Sequence, residues 1–143
     1  MIEVVELSAA DTHDLRRRVL RVGTVTTSVV FDGDESAVHL GLFDDGLVAV
    51  SSWFERRHPD RPALTGFQLR GMAVEPDRAG AGLGSRLLAG GVERMAALGA
   101  ELVWARARDT ALTFYTSRGF EVFGEGYVDL STGLPHHDVI RLL

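Results

Sequence analysis

Three residue types are missing from this chain of 143 residues: cysteine, lysine and asparagine. Without cysteine the chain forms no disulfide, carries no thiolate nucleophile and offers no thiolate to zinc or to an iron–sulfur cluster. Without lysine, Schiff-base chemistry and the phosphate-binding lysine of a Walker A loop are also excluded. All 15 basic residues are therefore arginines.

The charge balance is acidic, with a formal net charge of −5. Proteins that bind duplex nucleic acid present a basic face to the phosphates, so no nucleic-acid partner is expected. No apolar run reaches the length of a membrane span, and Glu3 and Glu6 stand where a signal peptide carries basic residues. We therefore expect one cytoplasmic globular domain, 1–143, with no membrane contact.

Hydrophobic periodicity predicts strands and helices in alternation. The predicted strands are 2–7, 37–43, 47–54, 65–74, 102–107, 120–128 and 137–143, and the predicted helices are 9–21, 83–98 and 111–118. Asp44-Asp45-Gly46 predicts a tight hairpin between two of the strands, because its glycine adopts a positive φ at little cost. These elements predict a mixed sheet flanked by helices.

The first predicted helix contains the run Arg16-Arg17-Arg18. Charge runs of this kind usually lie on a solvated helix face, and we expect the same here. The irregular segment after it contains the acidic residues Asp32, Asp34 and Glu35. We expect this segment to be an exposed connection or a loop near a substrate, where its acids would attract a cationic amine.

Glycine occupies alternate positions at Gly80, Gly82 and Gly84, between a predicted strand and a predicted helix. This spacing leaves backbone N–H groups unobstructed at a helix N-terminus, where the positive end of the helix dipole favours phosphate. A dinucleotide-binding fingerprint would need a further glycine at Ser85, and a Walker A loop would need a lysine. The turn therefore predicts a phosphate site of another kind.

The residues around this turn resemble the acyl-CoA pyrophosphate loop of the GNAT family of N-acetyltransferases. That loop has the pattern Val-x-Pro followed by Arg/Gln-x-x-Gly-x-Gly/Ala, which falls here on Val74-Glu75-Pro76 and on residues 79–84. Ala79 stands where the family carries Arg or Gln. Arg78 and Arg86 are the candidates to replace that side-chain contact, while the main-chain N–H groups would hold the pyrophosphate.

A second block, residues 108–120, resembles the family pattern Asn-x-x-Ala-x-x-Phe-Tyr-x-x-x-Gly-Phe, with Arg108 in the place of the asparagine. The resemblance implies that Tyr115 donates a proton to the departing CoA thiolate, a task that suits a weak acid with a pKa of about 10. The alternative is that Tyr115 is only a packing aromatic beside Phe114. The motif match as a whole covers about 66–137.

The resemblance implies the α/β (α+β) GNAT fold, a mixed and mostly antiparallel central sheet of about six to seven strands flanked by helices. It also implies that strand 68–74 diverges from strand 102–107, leaving a gap for the pantetheine arm of the cosubstrate acetyl-CoA. Backbone N–H groups of 72–74 would contact the arm and the thioester carbonyl; no metal site is predicted. The residues assigned to acetyl-CoA are Met72, Ala73, Val74, Arg78, Ala79, Gly80, Ala81, Gly82, Leu83, Gly84, Ser85, Arg108, Ala111 and Phe114.

A general base must remove a proton from the attacking amine, and imidazole titrates in the range that this work requires. The candidates are His136, His137, His58 and Glu55. We favour His136 because the family branch that this chain resembles carries a Pro-His pair near its C-terminus, and Pro135-His136 is that pair in this chain.

Arg70, Arg106 and Arg108 lie on or just after the two strands that would form the cleft. Such arginines bind a carboxylate or phosphate of the substrate or cofactor, or else form salt bridges with acids at the sheet edge. The sequence supports both interpretations, and it leaves the charge of the acceptor open.

The predicted reaction is transfer of an acetyl group from acetyl-CoA to a primary amine of a small molecule or peptide, by direct attack. The alternative is a non-catalytic acyl-CoA-binding sensor or subunit with the same fold, which the departures at Ala79 and Arg108 keep open. A structural domain that binds no CoA is a third reading. A homodimer is a further expectation.

Overall fold

The computed structural model describes residues 2–143, whose strands form one seven-stranded sheet. The strands are β1 (Val4–Leu7), β2 (Val38–Phe43), β3 (Leu47–Glu55), β4 (Gly66–Val74), β5 (Leu102–Arg108), β6 (Glu121–Val128) and β7 (Pro135–Leu142). Their order is β1-β2-β3-β4-β5-β7-β6. Every neighbouring pair is antiparallel except β4 and β5, which are parallel. The prediction of a mixed, mostly antiparallel sheet is confirmed.

The long helix α2 (Leu83–Ala97) forms close to its predicted range and packs on the sheet. Its fully buried Met95 belongs to the same core as Trp53 of β3. Gly91 allows a close approach of helix and sheet, because a Cβ at this position would lie 2.2 Å from the Trp53 ring. A shorter helix, α3 (Leu112–Thr116), follows β5. No helix in residues 2–143 combines the length and the apolar character needed to cross a membrane.

The first predicted helix is a row of three helical turns. They are a 3-10 turn (Ala10–Thr12), the α-helical turn α1 (His13–Leu15) and a π-helical turn (Arg16–Leu20). The expectation of a solvated arginine run is wrong at Arg16, which is completely buried, whereas Arg17 and Arg18 are exposed. Arg16 can be buried because its guanidinium is paired with a buried carboxylate: it donates to both oxygens of Asp34, at 2.7 and 3.0 Å.

The same contact corrects the expectation for the acidic segment. Asp34 is only 5% exposed and lies in a 3-10 turn, Asp34–Ser36, whereas Asp32 and Glu35 are exposed as predicted. A carboxylate that accepts two bonds from one guanidinium is not available to attract a substrate amine.

The parallel strands β4 and β5 pair over only part of their length. Cα partners run from Gly66 and Leu102 to Leu69 and Ala105, and no pairing continues beyond them. Two residues after Leu69 in β4 comes Gly71, with φ +66°, where the register with β3 also shifts. A bulge of this kind bends a strand away from its neighbour. The two strands therefore diverge towards their C-terminal ends.

Candidate active site

A cleft of about 850 Å³ opens where β4 and β5 separate. Its walls come from β4, β5, α3 and β7, from the chain around Leu20 and Phe31, and from residues 127–132. A cleft of this volume is large enough for a drug-sized ligand. The split between the strands, which the resemblance implied, therefore forms a cleft.

Tyr115 lies in this cleft, on helix α3, and is 8% exposed. Its ring makes edge-to-face contacts with Phe114 and Phe120, with ring centroids 5.2 and 5.4 Å away. Burial raises the pKa of the Tyr115 hydroxyl to about 12. The residue thus combines the packing role and the cleft position that the sequence offered as alternatives.

His136, on β7, also lines the cleft and is 4% exposed. Its Nδ1 lies 2.8 Å from the carbonyl oxygen of Leu134. A carbonyl only accepts hydrogen bonds, so Nδ1 carries a proton, and in the neutral form of the ring Nε2 presents its lone pair. No residue within 2–143 donates to Nε2. The neutral ring therefore has the form that a general base requires.

The other candidate bases lie in different settings. His58 is 1% exposed, with its Nε2 2.8 Å from Asp138, and it is not part of the cleft wall. His137 points its Nδ1 at Asp109, 2.7 Å away. Glu55 borders a second, smaller cavity instead of the cleft. His136 is thus the one of these four that the structure brings into the cleft with Tyr115.

Asp138 and Tyr127 also line the cleft, although the sequence did not single them out. The Tyr127 hydroxyl donates to Asp138 at 2.5 Å, and the second Asp138 oxygen faces Nε2 of His58. Burial and the adjacent Asp138 carboxylate raise the pKa of Tyr127. Strand alternation was the available signal, because residues two apart share a face and Asp138 follows His136 by two.

The glycine turn has free backbone donors at the start of α2. The N–H groups of Gly82, Leu83, Gly84 and Ser85 have no hydrogen-bond acceptor within residues 2–143, and no side chain caps the helix. Gly80 and Gly82 adopt left-handed φ values of +83° and +79° and are exposed. Unpaired N–H groups at a helix N-terminus are donors for an anion.

The two arginines predicted to help at this turn are engaged elsewhere. Arg78 pairs with the carboxylate of Asp44, and Arg86 donates to the carbonyl of Ile2 at 2.9 Å. Ala79 and Ala81 are exposed and supply no polar side chain. In this state the turn offers main-chain N–H groups alone.

The remaining predicted acetyl-CoA contacts divide into two groups. Met72, Ala111 and Arg108 line the cleft, and Arg108 also donates to the Leu20 carbonyl at 2.8 Å. The side chains of Ala73, Val74 and Phe114 pack in the hydrophobic core of the domain.

The cleft arginines have no acidic partner. Arg70 and Arg106 line the cleft with Arg108, and none of the three lies within 4.0 Å of a carboxylate oxygen in residues 2–143. Arg56, which lies in no sequence motif, joins them there and donates to Gln68 at 3.1 Å. The sheet-edge salt bridges that were one of the two interpretations are not formed.

Comparison with known proteins agrees with this geometry. The family described as "Acetyltransferase (GNAT) domain" matches residues 34–122. The chain belongs to the GNAT acetyltransferase family. This GNAT domain is also 30% identical over 130 residues to a Bacillus subtilis (strain 168) protein named "Uncharacterized N-acetyltransferase YitI", which covers 89% of this chain and 87% of that protein.

Solved structures share the fold of this GNAT domain. A putative N-acetyltransferase from Lactobacillus plantarum superposes with a TM-score of 0.81 at 18% identity, covering 99% of this chain and 98% of that one. Escherichia coli ElaA gives a TM-score of 0.78 at 23% identity and covers 99% of both chains. At these identities the likeness establishes the architecture.

Proposed function

We propose that this GNAT protein transfers an acetyl group from acetyl-CoA to a primary amine of a small molecule or peptide. The observation that carries the proposal is the content of one cleft: a protonated Tyr115 hydroxyl and a His136 ring with a free Nε2 both line it. An acid and a base in one cleft suit a reaction in which one group gains a proton and another loses one.

The residues fit acetyl-CoA at two places. The free N–H groups at the start of α2 would hold the pyrophosphate, since they supply donors and the positive end of the helix dipole without a lysine. The split beyond Leu69 and Ala105 leaves strand edges that would accept an extended pantetheine arm. When bound, acetyl-CoA would supply an acetyl group activated as a thioester.

His136 and Tyr115 would divide the proton transfers. His136 Nε2 takes the proton that the amine nitrogen loses as its new C–N bond forms. The Tyr115 hydroxyl gives its proton to the sulfur as the C–S bond breaks. The base gains one proton and the acid loses one, so both return to their starting forms by exchange with solvent. No acyl-enzyme is needed.

The raised pKa of Tyr115 suits this role. A hydroxyl with a pKa of about 12 stays protonated throughout the neutral range. An ordinary thiol has a pKa of about 8.5 and its thiolate would take such a proton poorly in water. The same poorly hydrated surroundings raise the pKa of a thiol, however, because burial disfavours any anion. The pKa difference between Tyr115 and the leaving thiol is therefore smaller than a comparison with a thiol in water suggests.

The test is release of free CoA thiol over a panel of amines. We expect Tyr115→Phe to lower kcat by about 10²- to 10⁴-fold with little change in the KM for acetyl-CoA, because general acid catalysis is lost. His136→Gln is expected to lower kcat for the corresponding reason. Thr113→Ala, an exposed change on the same helix, serves as the matched control. Wild-type turnover by Tyr115→Phe at every pH would remove Tyr115 from the mechanism.

Calorimetry with acetyl-CoA tests the non-catalytic alternative. Binding of acetyl-CoA without turnover of any amine would favour a sensor or subunit. Absence of binding at millimolar acetyl-CoA would contradict both readings. The homodimer remains a prediction, for which sedimentation is the direct measurement.

A further inference from the structure

Three cleft arginines form what we call the arginine cluster: Arg56, Arg70 and Arg106. Arg70 is partly buried, and its guanidinium lies 4.5 Å from the ring centroid of Phe31 and 5.4 Å from that of Phe54. Neither Arg70 nor Arg106 forms a side-chain hydrogen bond within residues 2–143. Arg56 forms one, to the neutral amide of Gln68. Most donors of three planar, fork-shaped cations therefore face the cleft unused.

Within the cluster, Arg70 carries an electrostatic cost, whereas Arg56 and Arg106 are exposed to solvent. Burial lowers the pKa of Arg70, and the nearby charges of Arg56, Arg16 and Arg106 lower it further. Asp34 acts in the opposite direction, but both of its oxygens are bonded to Arg16. Like charges collected in a partly desolvated site are stabilised when an anion binds among them.

The acidic groups of the cleft are not placed to be that anion. Asp138 is held by Tyr127 and His58, and Asp129 accepts bonds from the side chain and the backbone of Ser131. Asp32 is exposed, borders the cleft and forms no salt bridge with any of the three arginines. An anion that binds these arginines would therefore be supplied by a ligand.

The position of the cluster separates it from the predicted pyrophosphate site. The glycine turn follows the C-terminal end of β4, while the Arg56 N–H donates to the carbonyl of Gly66, the first residue of that strand, at 2.9 Å. From Arg70 to Val74 the strand itself covers about 13 Å. The cluster is instead near His136, the candidate base. In the register of β5 and β7, Arg106 lies opposite Asp138 and Arg108 lies opposite His136. Two residues along a strand span about 7 Å.

We propose that the acceptor is an amine that also carries a carboxylate or phosphate group, which the arginine cluster binds while His136 faces the amine. This inference rests on the proposed function and names its substrate class. The amine and the anionic group of the acceptor would be separated by a few bonds, because Arg106 and the residue opposite His136 are about 7 Å apart along β5. A fork-shaped guanidinium matches both carboxylate and phosphate oxygens.

The experiment compares amines that differ only in the anionic group, in the thiol-release assay. The pairs are 4-aminobutyrate with butylamine, and 2-aminoethyl phosphate with 2-aminoethanol. We expect kcat/KM to be about 10- to 100-fold higher for the anionic member of at least one pair, and the favoured pair tells carboxylate from phosphate. Equal values within both pairs, or a preference for the uncharged amines, would overturn the proposal.

Substitutions then assign the preference to the cluster. Arg70→Gln and Arg106→Gln should raise the KM for the anionic amine by about 10- to 100-fold and change the KM for its uncharged counterpart much less. Arg17→Gln removes the same charge from an exposed position and should change nothing. If Arg70→Gln instead raises the KM for acetyl-CoA, the cluster binds the cosubstrate and the proposal is wrong.

A second readout separates this proposal from the proposed function. Arginine Nε–H signals of ¹⁵N-labelled protein are followed during titration with acetate and with inorganic phosphate. Movement of the Arg70 signal, assigned through Arg70→Gln, with a stationary Arg17 signal supports the oxyanion site even when no amine is acetylated. Equal movement of both signals, or of neither, contradicts it.

Discussion

Three arginines lie near the ring of Phe31, and the two nearest, Arg16 and Arg70, belong to different kinds of site. The Arg16 guanidinium lies 3.8 Å from the ring centroid and the Arg70 guanidinium 4.5 Å from it. Arg16 is completely buried and shares two hydrogen bonds with Asp34. Arg70 is partly open to the cleft and has no such partner. The same side chain therefore supports structure in one place and awaits a ligand in the other.

The difference lies in how many donors the chain itself satisfies. Besides Asp34, Arg16 donates to the Val29 carbonyl and to the Ser52 hydroxyl, both at 2.8 Å. The ring of His39 extends this buried network by contacting Ser52 at 2.7 Å. These bonds attach the irregular segment before β2 to the sheet. Arg16 Nε has no acceptor within residues 2–143, but both terminal nitrogens of this guanidinium are bonded, which gives order. The cleft arginines lack such bonds and keep donors available for a ligand, at a cost in repulsion.

Removing the buried carboxylate is the largest expected disturbance. Asp34→Ala leaves the Arg16 charge buried without compensation, so we expect the free energy of unfolding to fall by about 3–5 kcal/mol. Urea denaturation measures it. Asp14→Ala, which removes an exposed carboxylate paired with Arg18, is the control and should leave the midpoint nearly unchanged.

The buried pair also predicts the response to acid. Burial by itself raises the pKa of Asp34, but the bonds from Arg16 and from the Phe31 N–H outweigh it and leave the pKa below its ordinary value. A depressed folded-state pKa gives stability that is complete above pH 4 or so and is lost as pH falls further. Asp34→Ala should remove this part of the acid dependence. An unaltered midpoint and acid profile in that variant would show that the network is not structural.

Gly71 tests the contact between the two regions. It has φ +66°, and a Cβ would lie 2.8 Å from the Phe31 ring and 3.2 Å from Arg16 Nε. Gly71→Ala should lower the free energy of unfolding by about 1–3 kcal/mol, through backbone strain and displacement of the ring. Gly124→Ala, at φ +77° with open space around it, measures strain alone. An equal fall in the free energy of unfolding of the two variants would mean that the Phe31 ring moves aside without an energetic cost.

Arg70→Gln is the smallest expected effect on stability and completes the comparison. Loss of the aromatic contacts is offset by relief of desolvation and of like-charge repulsion, so the free energy of unfolding should change by less than about 1 kcal/mol. Urea denaturation of the variant used in the acceptor assays gives this value. A loss as large as that of Asp34→Ala would place Arg70 with the structural arginines.

Local patterns accounted for most of the fold. The helix α2, the hairpin of β2 and β3 and the glycine turn follow from periodicity and turn chemistry, which act over a few neighbouring residues. The same patterns could not foresee the burial of Arg16, because its partners Asp34 and Ser52 lie 18 and 36 residues away. Asp138 and Arg56 escaped notice because neither lies in a motif, and only the folded sheet brings them to the cleft.

By itself, the sequence determined the mixed sheet, the family and the main-chain donors that stand where a lysine is absent, because each depends on short-range spacing. The tertiary structure alone decided which charges are cancelled. Whether an arginine pairs with a carboxylate depends on contacts between distant segments. The packing beside β4 provides a carboxylate for Arg16 and none for Arg70. This is the physical reason that the charge of the acceptor, open in the sequence, becomes a testable inference in the fold.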